Sequence, residues 1–275
     1  METASTIAEA RSLVDRLPRP LGFVPTMGAL HDGHLELARR ARSECAAVAA
    51  SIFVNPLQFG ANEDLATYPR DFVGDRSKFS ESGVDVLFAP PVDSMYPSGF
   101  STNIEVGSIG TVFEGAVRPT HFAGVATVVT KLLHIIRPDV LYLGQKDAQQ
   151  TAVLRKVVRE LEFTTRVVIV PTVRESDGLA MSSRNAYLNP DQRREAPALH
   201  RALNVLRDAL SAGASKIDAV TAARASFGPL ASVEYLEVVD ADTFAPIETL
   251  RAPAFVIGVA RFGTTRLLDN LWIAT

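Results

Sequence analysis

An apolar run, Leu21-Gly22-Phe23-Val24, breaks at Gly28, passes through His31-Asp32-Gly33-His34 and enters the helical spacing of Leu35, Leu37, Ala38 and Ala41. Such a pattern requires a buried strand, a tight loop and a helix. It is the opening half of a parallel crossover unit, which places the chain among α/β folds. At a helix N-terminus the unpaired backbone N–H groups and the positive end of the dipole face outward, and glycine lets a ligand approach the main chain. The turn therefore suits a phosphate. Imidazoles titrate near neutral pH, so His31 and His34 are candidate donors to phosphate oxygens. Two other readings fit the pair: a metal site, and an ordinary turn with satisfied histidines. The metal reading lacks ligands, because the single Cys45 and the scattered remaining histidines form no cluster. The phosphate reading leads.

The alternation continues. Strands are expected at Phe23 to Pro25, Ala49 to Val54, Val84 to Phe88, Val140 to Leu143 and Val167 to Val170. Helices are expected at His34 to Glu44, Phe72 to Ser82, Phe122 to Ile136 and Ala148 to Leu161. Strands rich in Val, Ile and Phe suit a sheet covered on both faces. Met1 to Leu17 reads as a short amphipathic helix without a signal-peptide core. After Pro171 the pattern changes to helices at Pro190 to Leu210 and Lys216 to Phe227, followed by strands at Val233 to Val239, Phe255 to Arg261 and Arg266 to Ile273. Two domains are expected: residues 1–172 around the parallel sheet, and a smaller α+β domain over residues 173–275.

With 275 residues, 47% hydrophobic and 21% charged, the chain is long enough for a sizeable core. Its formal net charge of -3 gives no global attraction to nucleic acid or anionic membrane, which favours small-molecule substrates. One cysteine excludes an internal disulfide framework and fits a reducing cytoplasm. The most apolar run, Cys45 to Val54, is too short to span a bilayer.

Further constellations lie at expected strand ends, where open α/β sheets gather ligands. Gly144-Gln145-Lys146-Asp147 offers a lysine for phosphate oxygens and an aspartate that either caps the next helix or meets a ribose hydroxyl or a magnesium-bound water. Met181-Ser182-Ser183-Arg184-Asn185 combines two hydroxyls with a forked guanidinium, a set that suits a triphosphate and equally forms a surface turn. Asn55 to Gly60, with Gln58, and the adjacent Gln149 and Gln150 supply uncharged hydrogen-bonding groups for a polar substrate. The two glutamines differ by about a hundred degrees around a helix, so only one is expected to face a site. Glu114 to Phe122 adds a carboxylate, Arg118 and His121, explained almost as well by a structural ion pair and a cap.

Taken together, Pro25-Thr26-Met27-Gly28 with His31-x-Gly33-His34, Phe53-Val54-Asn55-Pro56 with Gln58-Phe59, Arg118-Pro119-Thr120-His121-Phe122-x-Gly124-Val125, Gly144-x-Lys146-Asp147 with Gln149-Gln150, and Asp177 to Asn185 resemble the pantoate-beta-alanine ligase (pantothenate synthetase) family. A weaker match at Leu267-Leu268-Asp269-Asn270 extends the resemblance toward the C-terminus. It implies a Rossmann-like nucleotidyltransferase domain, related through the His-x-Gly-His motif to class I aminoacyl-tRNA synthetases. Met181 to Arg184 would be the counterpart of the mobile Lys-Met-Ser-Lys-Ser loop.

The same resemblance implies ATP contacts at Met27, Gly28, Ala29, Leu30, His31, Asp32, Gly33 and His34, at Gly144, Gln145, Lys146 and Asp147, at Val173, and at Met181, Ser182, Ser183 and Arg184. Gln58 and Gln150 would hold pantoate, with Gln58 also near β-alanine, and His34 would donate a proton. The catalytic set implied is His34, His31, Lys146, Ser182, Ser183 and Arg184, with Mg²⁺ bound along with ATP, and a homodimer. Because an adenylate must be kept from water, closure of the second domain and the Met181 loop over the site is expected. Gln145 stands where an acid is expected and Ala148 where an aromatic is expected. The helix after Tyr68-Pro69-Arg70 carries fewer carboxylates than the family pattern, only Asp71 and Asp75, so protein ligands for magnesium are unassigned. Two other functions share part of this set: a nucleotidyltransferase with a phosphorylated acceptor, which would need basic groups where Gln58 and Gln150 stand, and a nucleotide-binding regulator without chemistry, which would not need the whole catalytic set.

Overall fold

Among the described residues of the computed structural model, 1–60, 63 and 65–274, six strands form one wholly parallel sheet. They are β1 (Glu2–Ala4), β2 (Leu21–Thr26), β3 (Ala47–Ile52), β4 (Val86–Phe88), β5 (Val140–Gly144) and β6 (Arg166–Val170), in the order β1-β4-β3-β2-β5-β6. The helices of this part are α1 (Ile7–Val14), α2 (Asp32–Glu44), α3 (Phe72–Glu81), α4 (Val92–Met95), α5 (Glu114–Val117), α6 (His121–Ile136) and α7 (Ala148–Glu160). This is the expected Rossmann-like α/β class.

Alternation along each strand builds two cores. Phe23, Ala49, Phe88 and Leu141 pack with Val14 of α1, Leu132 and Leu133 of α6 and Leu154 of α7. Their neighbours Val24, Ala50, Leu87 and Tyr142 pack with Leu37, Ala38 and Ala41 of α2 and Phe79 of α3. Phe23 and Phe88 are fully buried, and each such side chain contributes about 1.5–3 kcal/mol. Because β2 pairs with β3 on one side and β5 on the other, the connection direction reverses between β2 and β5. A crevice opens at the carboxyl ends of strands at such a switch, and the loops after β2 and β5 begin there.

The chain divides into two units. One comprises Met1–Gly144 and Gln149–Val170; the other comprises Gln145–Ala148 and the chain from Pro171 onward. In the second, β7 (Ala231–Asp240), β8 (Ala254–Phe262) and β9 (Thr265–Ile273) form an antiparallel sheet in sequence order. Its helices are α8 (Pro190–Glu195), α9 (Ala198–Ser211) and α10 (Lys216–Arg224). Leu199, Ala202, Leu203, Leu206 and Leu210 recur at helical spacing on α9 and bury one stripe with Leu236, Val238 and Val256 of the sheet.

Two sequence expectations are corrected. Met1 to Leu17 is not one helix: Glu2–Ala4 pairs with β4 as an edge strand, and α1 starts only after Thr6, which forms a capping box with Glu9. Pro190 to Leu210 is likewise two helices: Ala196 and Pro197 keep right-handed helical angles, but Pro197 has no N–H to continue the hydrogen-bond ladder, so α8 ends at Glu195 and α9 starts at Ala198. Among the described residues no helix is long and apolar enough to cross a membrane.

Candidate functional site

The loop after β2 turns left-handed at Gly28 (φ +88°) and Ala29 (φ +53°), then α2 begins with His31 as its N-cap. His31 Nδ1 accepts the Gly33 N–H at 3.2 Å, and His34 Nδ1 accepts the His31 N–H at 3.4 Å. The helix consequently starts two residues earlier than the apolar spacing alone indicates, at Asp32. The two rings lie 4.1 Å apart, tilted by 40°. With Nδ1 of each ring accepting, the neutral tautomer carries its hydrogen on Nε2, the polarity needed to donate to an anion. Asp75, reaching in from α3, holds the loop: Oδ2 accepts Ala29 N at 2.7 Å and Oδ1 accepts Leu30 N at 2.8 Å. A carboxylate 45 residues beyond the loop it supports has no local sequence signal.

Gln58 ends the short 3-10 turn Pro56–Gln58 and is buried. Its Oε1 accepts from Asn55 Nδ2 at 3.0 Å, and its Nε2 faces Met27 Sδ at 3.2 Å. Gln58 and the Met27 loop are thus brought together within one unit. Tyr96 donates its hydroxyl to Asn55 Oδ1 at 2.7 Å, and burial pushes its phenol well above the ordinary range, keeping it a donor. Arg118 and His121 prove structural: Arg118 Nη2 donates to Gln58 O at 3.2 Å, His121 Nδ1 lies 3.0 Å from the same carbonyl, and Arg118 forks onto Glu63. Burial opposes ionisation of Glu63, but the Arg118 hydrogen bonds and charge prevail and hold its carboxyl below the usual range. Gly124 of α6 lets the helix approach this turn, since a Cβ there would stand 2.6 Å from Gln58 N and against the Leu57 carbonyl.

The paired glutamines divide as helical geometry requires. Gln149 is buried, donates to Ile109 O and Val112 O at 2.8 Å each, and accepts Glu114 N at 3.1 Å. That spends it on structure. Gln150 remains half-buried on the first turn of α7.

In the second unit, Met181 N bonds Val173 O at 3.0 Å and closes a turn in which Glu175 N bonds Leu179 O at 2.8 Å. Ser182 then caps the 3-10 helix Ser183–Tyr187, accepting Arg184 N at 3.3 Å. Lys146, Ser182 and Arg184 line one narrow pocket with His200 and Asp269. Lys146 Nζ sits 3.2 Å from Asp147 Oδ1. Arg174, which carried no sequence signal, forks onto Asp269 at 2.6 and 2.9 Å and donates to Gly178 O at 3.1 Å. His200 Nδ1 lies 3.5 Å from Asp269 Oδ2. Burial penalises the Asp269 carboxylate, yet His200, Arg174 and the Asn270 N–H outweigh it and depress its pKa. Gln145, the departure from the expected acid, donates Nε2 to Asn270 Oδ1 at 3.1 Å.

Among the described residues no group of three His, Cys, Asp or Glu side chains is placed to hold a metal. Asp71 accepts Gly74 N as the cap of α3 and Asp75 is spent on the Ala29 loop, so these two carboxylates are engaged in local structure.

The model of the pantoate-beta-alanine ligase family matches residues 2–272. The pantothenate synthetase of Agrobacterium fabrum is 50% identical over 277 residues, covering 98% of this chain and 95% of the relative. A crystal structure of pantothenate synthetase from Thermus thermophilus superimposes with a TM-score of 0.94 at 49% identity, covering 100% of both chains. The pantoate-beta-alanine ligase of Francisella tularensis, in a crystal complex with beta-gamma ATP and beta-alanine, superimposes with a TM-score of 0.81 at 34% identity, covering 99% of this chain and 97% of that one.

Proposed function

Because the chain belongs to the pantoate-beta-alanine ligase family and is a ligase of pantothenate biosynthesis, we propose that it condenses pantoate with β-alanine through a pantoyl adenylate, at the expense of ATP. A carboxylate does not react usefully with an amine, since oxide would have to leave. Adenylation removes that obstacle. A pantoate carboxylate oxygen attacks the α-phosphorus, the bond to the bridging oxygen breaks, and pyrophosphate leaves with the added negative charge. The uncharged amine of β-alanine then attacks the acyl carbon, its proton is lost, and AMP departs with the former carboxylate oxygen. No protein nucleophile is needed.

The observation that carries this reading is the reciprocal capping of His31 and His34 at the α2 N-terminus. It assigns each Nε2 as donor beside the backbone amides and dipole that suit a phosphate. We assign His34 as the principal donor to the charge that develops on the departing oxygens, with His31 beside it. Lys146, Ser182, Ser183 and Arg184 add charge and short donors for the same phosphates. Further nucleotide contacts are assigned to Met27 through Gly33, Gly144, Gln145, Asp147, Val173 and Met181. Gln58 and Gln150 take the acid's hydroxyl and carboxylate groups, where uncharged amides satisfy polar atoms without adding a charge. Mg²⁺ enters as part of the MgATP substrate, consistent with its habit of keeping waters and phosphate ligands. Residues 1–172 act as the nucleotide- and pantoate-binding domain and 173–275 as the domain carrying the Met181–Arg184 turn; a cytoplasmic homodimer completes the reading.

The Francisella relative's complex with beta-gamma ATP and beta-alanine supports two of the three substrates. Incubation of the purified chain with MgATP, pantoate and β-alanine, followed by chromatography, is expected to yield pantothenate, AMP and pyrophosphate in equal amounts. Formation of ADP, or turnover only with a phosphorylated acid, overturns the proposal.

A further inference from the structure

Asn270 donates its side-chain Nδ2 to two successive backbone carbonyls, Gln145 O at 2.9 Å and Lys146 O at 2.8 Å, and accepts Gln145 Nε2 on its Oδ1 at 3.1 Å. Two carbonyls face one end of the amide and a donor faces the other, so the amide orientation is fixed. The residue is 2% exposed. Its own main chain is pinned as well: Asp269 Oδ1 accepts Asn270 N at 2.7 Å, and Arg174, forked onto Asp269, donates to Asn270 O at 3.2 Å. A buried polar side chain spent on the backbone of a distant turn stabilises one placement of that turn, because releasing it takes the donor from two part-buried carbonyls.

We infer that Asn270 is a positioning residue for Lys146, holding the lysine's main chain where its Nζ meets the phosphates. The inference rests on the adenylation reading above, in which Lys146 contacts those phosphates. A lysine has a long flexible stem, so the placement of its charge depends on the placement of its Cα. The same network reaches the serine–arginine turn. Arg174 adjoins Val173, whose carbonyl bonds Met181 N, one residue before Ser182. Lys146 and Ser182–Arg184 are thereby fixed to one bonded frame within the second unit. Gln145 takes part through its amide N–H, which an acidic residue at that position would not supply.

The test is a double-mutant cycle on pantoate-dependent exchange of labelled pyrophosphate into ATP, using wild type, Asn270→Ala, Lys146→Ala and the double variant of the full chain. Misplacement of about 1 Å costs on the order of a hundredfold in rate, so Asn270→Ala is expected to slow exchange by roughly ten- to a hundredfold. In the Lys146→Ala background the same change is expected to cost less than about twofold, because the side chain it positions is gone. A full additive loss in that background would show that Asn270 merely supports the fold, and wild-type exchange by Asn270→Ala would show no role; either overturns the inference. Circular dichroism and thermal melting accompany each variant. If Asn270→Ala does not fold, Asn270→Ser, whose hydroxyl retains one donor, enters the cycle under the same criteria. Absence of exchange in the wild type overturns the adenylation reading and this inference with it, whereas additivity in an exchanging enzyme overturns this inference alone.

Discussion

The Asp75 carboxylate holds Ala29 in a left-handed conformation, accepting its N–H at 2.7 Å while the other carboxylate oxygen takes the next amide, Leu30 N, at 2.8 Å. A non-glycine residue at positive φ costs of order 1–3 kcal/mol and persists only where its surroundings impose it. Asp75 is 1% exposed, and Gly28 beside it, itself at φ +88°, would bring a Cβ into tight contact with Asp75 Oδ2 at 3.0 Å. Asp75→Asn offers one acceptor for two donors, leaving a buried N–H unpaired at about 1–3 kcal/mol. The expected outcome is a lower melting temperature together with a raised KM for ATP, while the pantoate KM changes little. Thermal melts and initial-rate kinetics check it; an unchanged ATP KM would detach Asp75 from the loop's role.

His34→Ala removes the transition-state donor in the proposed mechanism and leaves the other groups for ground-state ATP. Single-turnover formation of pantoyl adenylate is expected to fall by on the order of a hundredfold or more, with a much smaller change in ATP affinity. Because His34 also accepts the His31 N–H at the start of α2, His34→Asn, which retains a short acceptor, separates capping from proton donation. Rapid-quench measurement of both variants decides this, and equal rates for His34→Asn and wild type would assign the residue to capping alone.

Much of this was legible in the chain because it is written locally. The β2 run, the glycine break and the two histidines specify a strand, a loop and a helix start within about fifteen residues, and strands rich in Val, Ile and Phe indicate that both sheet faces are covered. That only one of the paired glutamines would face a site was legible too, with Gln150 singled out by the family resemblance; the structure adds what occupies Gln149, namely Ile109 O and Val112 O. What could not be read is long-range pairing. Asp75 to Ala29, Arg174 to Asp269 and Asn270 to Gln145 span 46, 95 and 125 residues, and an isolated aspartate, arginine or asparagine carries no periodicity that reveals its partner. Glu2–Ala4 escaped for a related reason, since three residues make too short a strand to show alternation and β4 alone recruits them.

Asp269 predicts a pH dependence of stability. Burial opposes its charge, but His200, Arg174 and Asn270 N stabilise the carboxylate, so its folded-state pKa lies below the unfolded value. A depressed carboxyl contributes its stability fully above the unfolded pKa, about 3.9, and loses it as the pH falls through the folded value. Breaking such a buried pair costs about 3–5 kcal/mol. Asp269→Asn is therefore expected to be markedly less stable than wild type at pH 7, and the gap should narrow below about pH 4. Denaturant titrations of both proteins across that window check the sign; a gap that widened on acidification would show that the folded state favours the protonated acid.

The proposed mechanism also commits to an order of events. If pantoyl adenylate is a true intermediate, its formation is reversible and independent of the amine, so labelled pyrophosphate exchanges into ATP when pantoate and Mg²⁺ are present and β-alanine is absent. Omitting pantoate should abolish exchange. Acid-quenched mixtures should contain pantoyl adenylate by mass spectrometry, retained on the enzyme until β-alanine is added. Exchange that required β-alanine would replace the stepwise path with a concerted one, in which the amine takes part before pyrophosphate leaves. Exchange with neither acid nor amine would require AMP to be held covalently by the protein. Cys45 is buried away from solvent with its Sγ 3.3 Å from the Tyr142 hydroxyl, and Ser182 Oγ is engaged as a helix cap that accepts the Arg184 N–H, so neither is arranged as a nucleophile. The acid-dependent, amine-independent pattern is accordingly the expected one, and a filter-binding exchange assay with each substrate omitted in turn reads it directly.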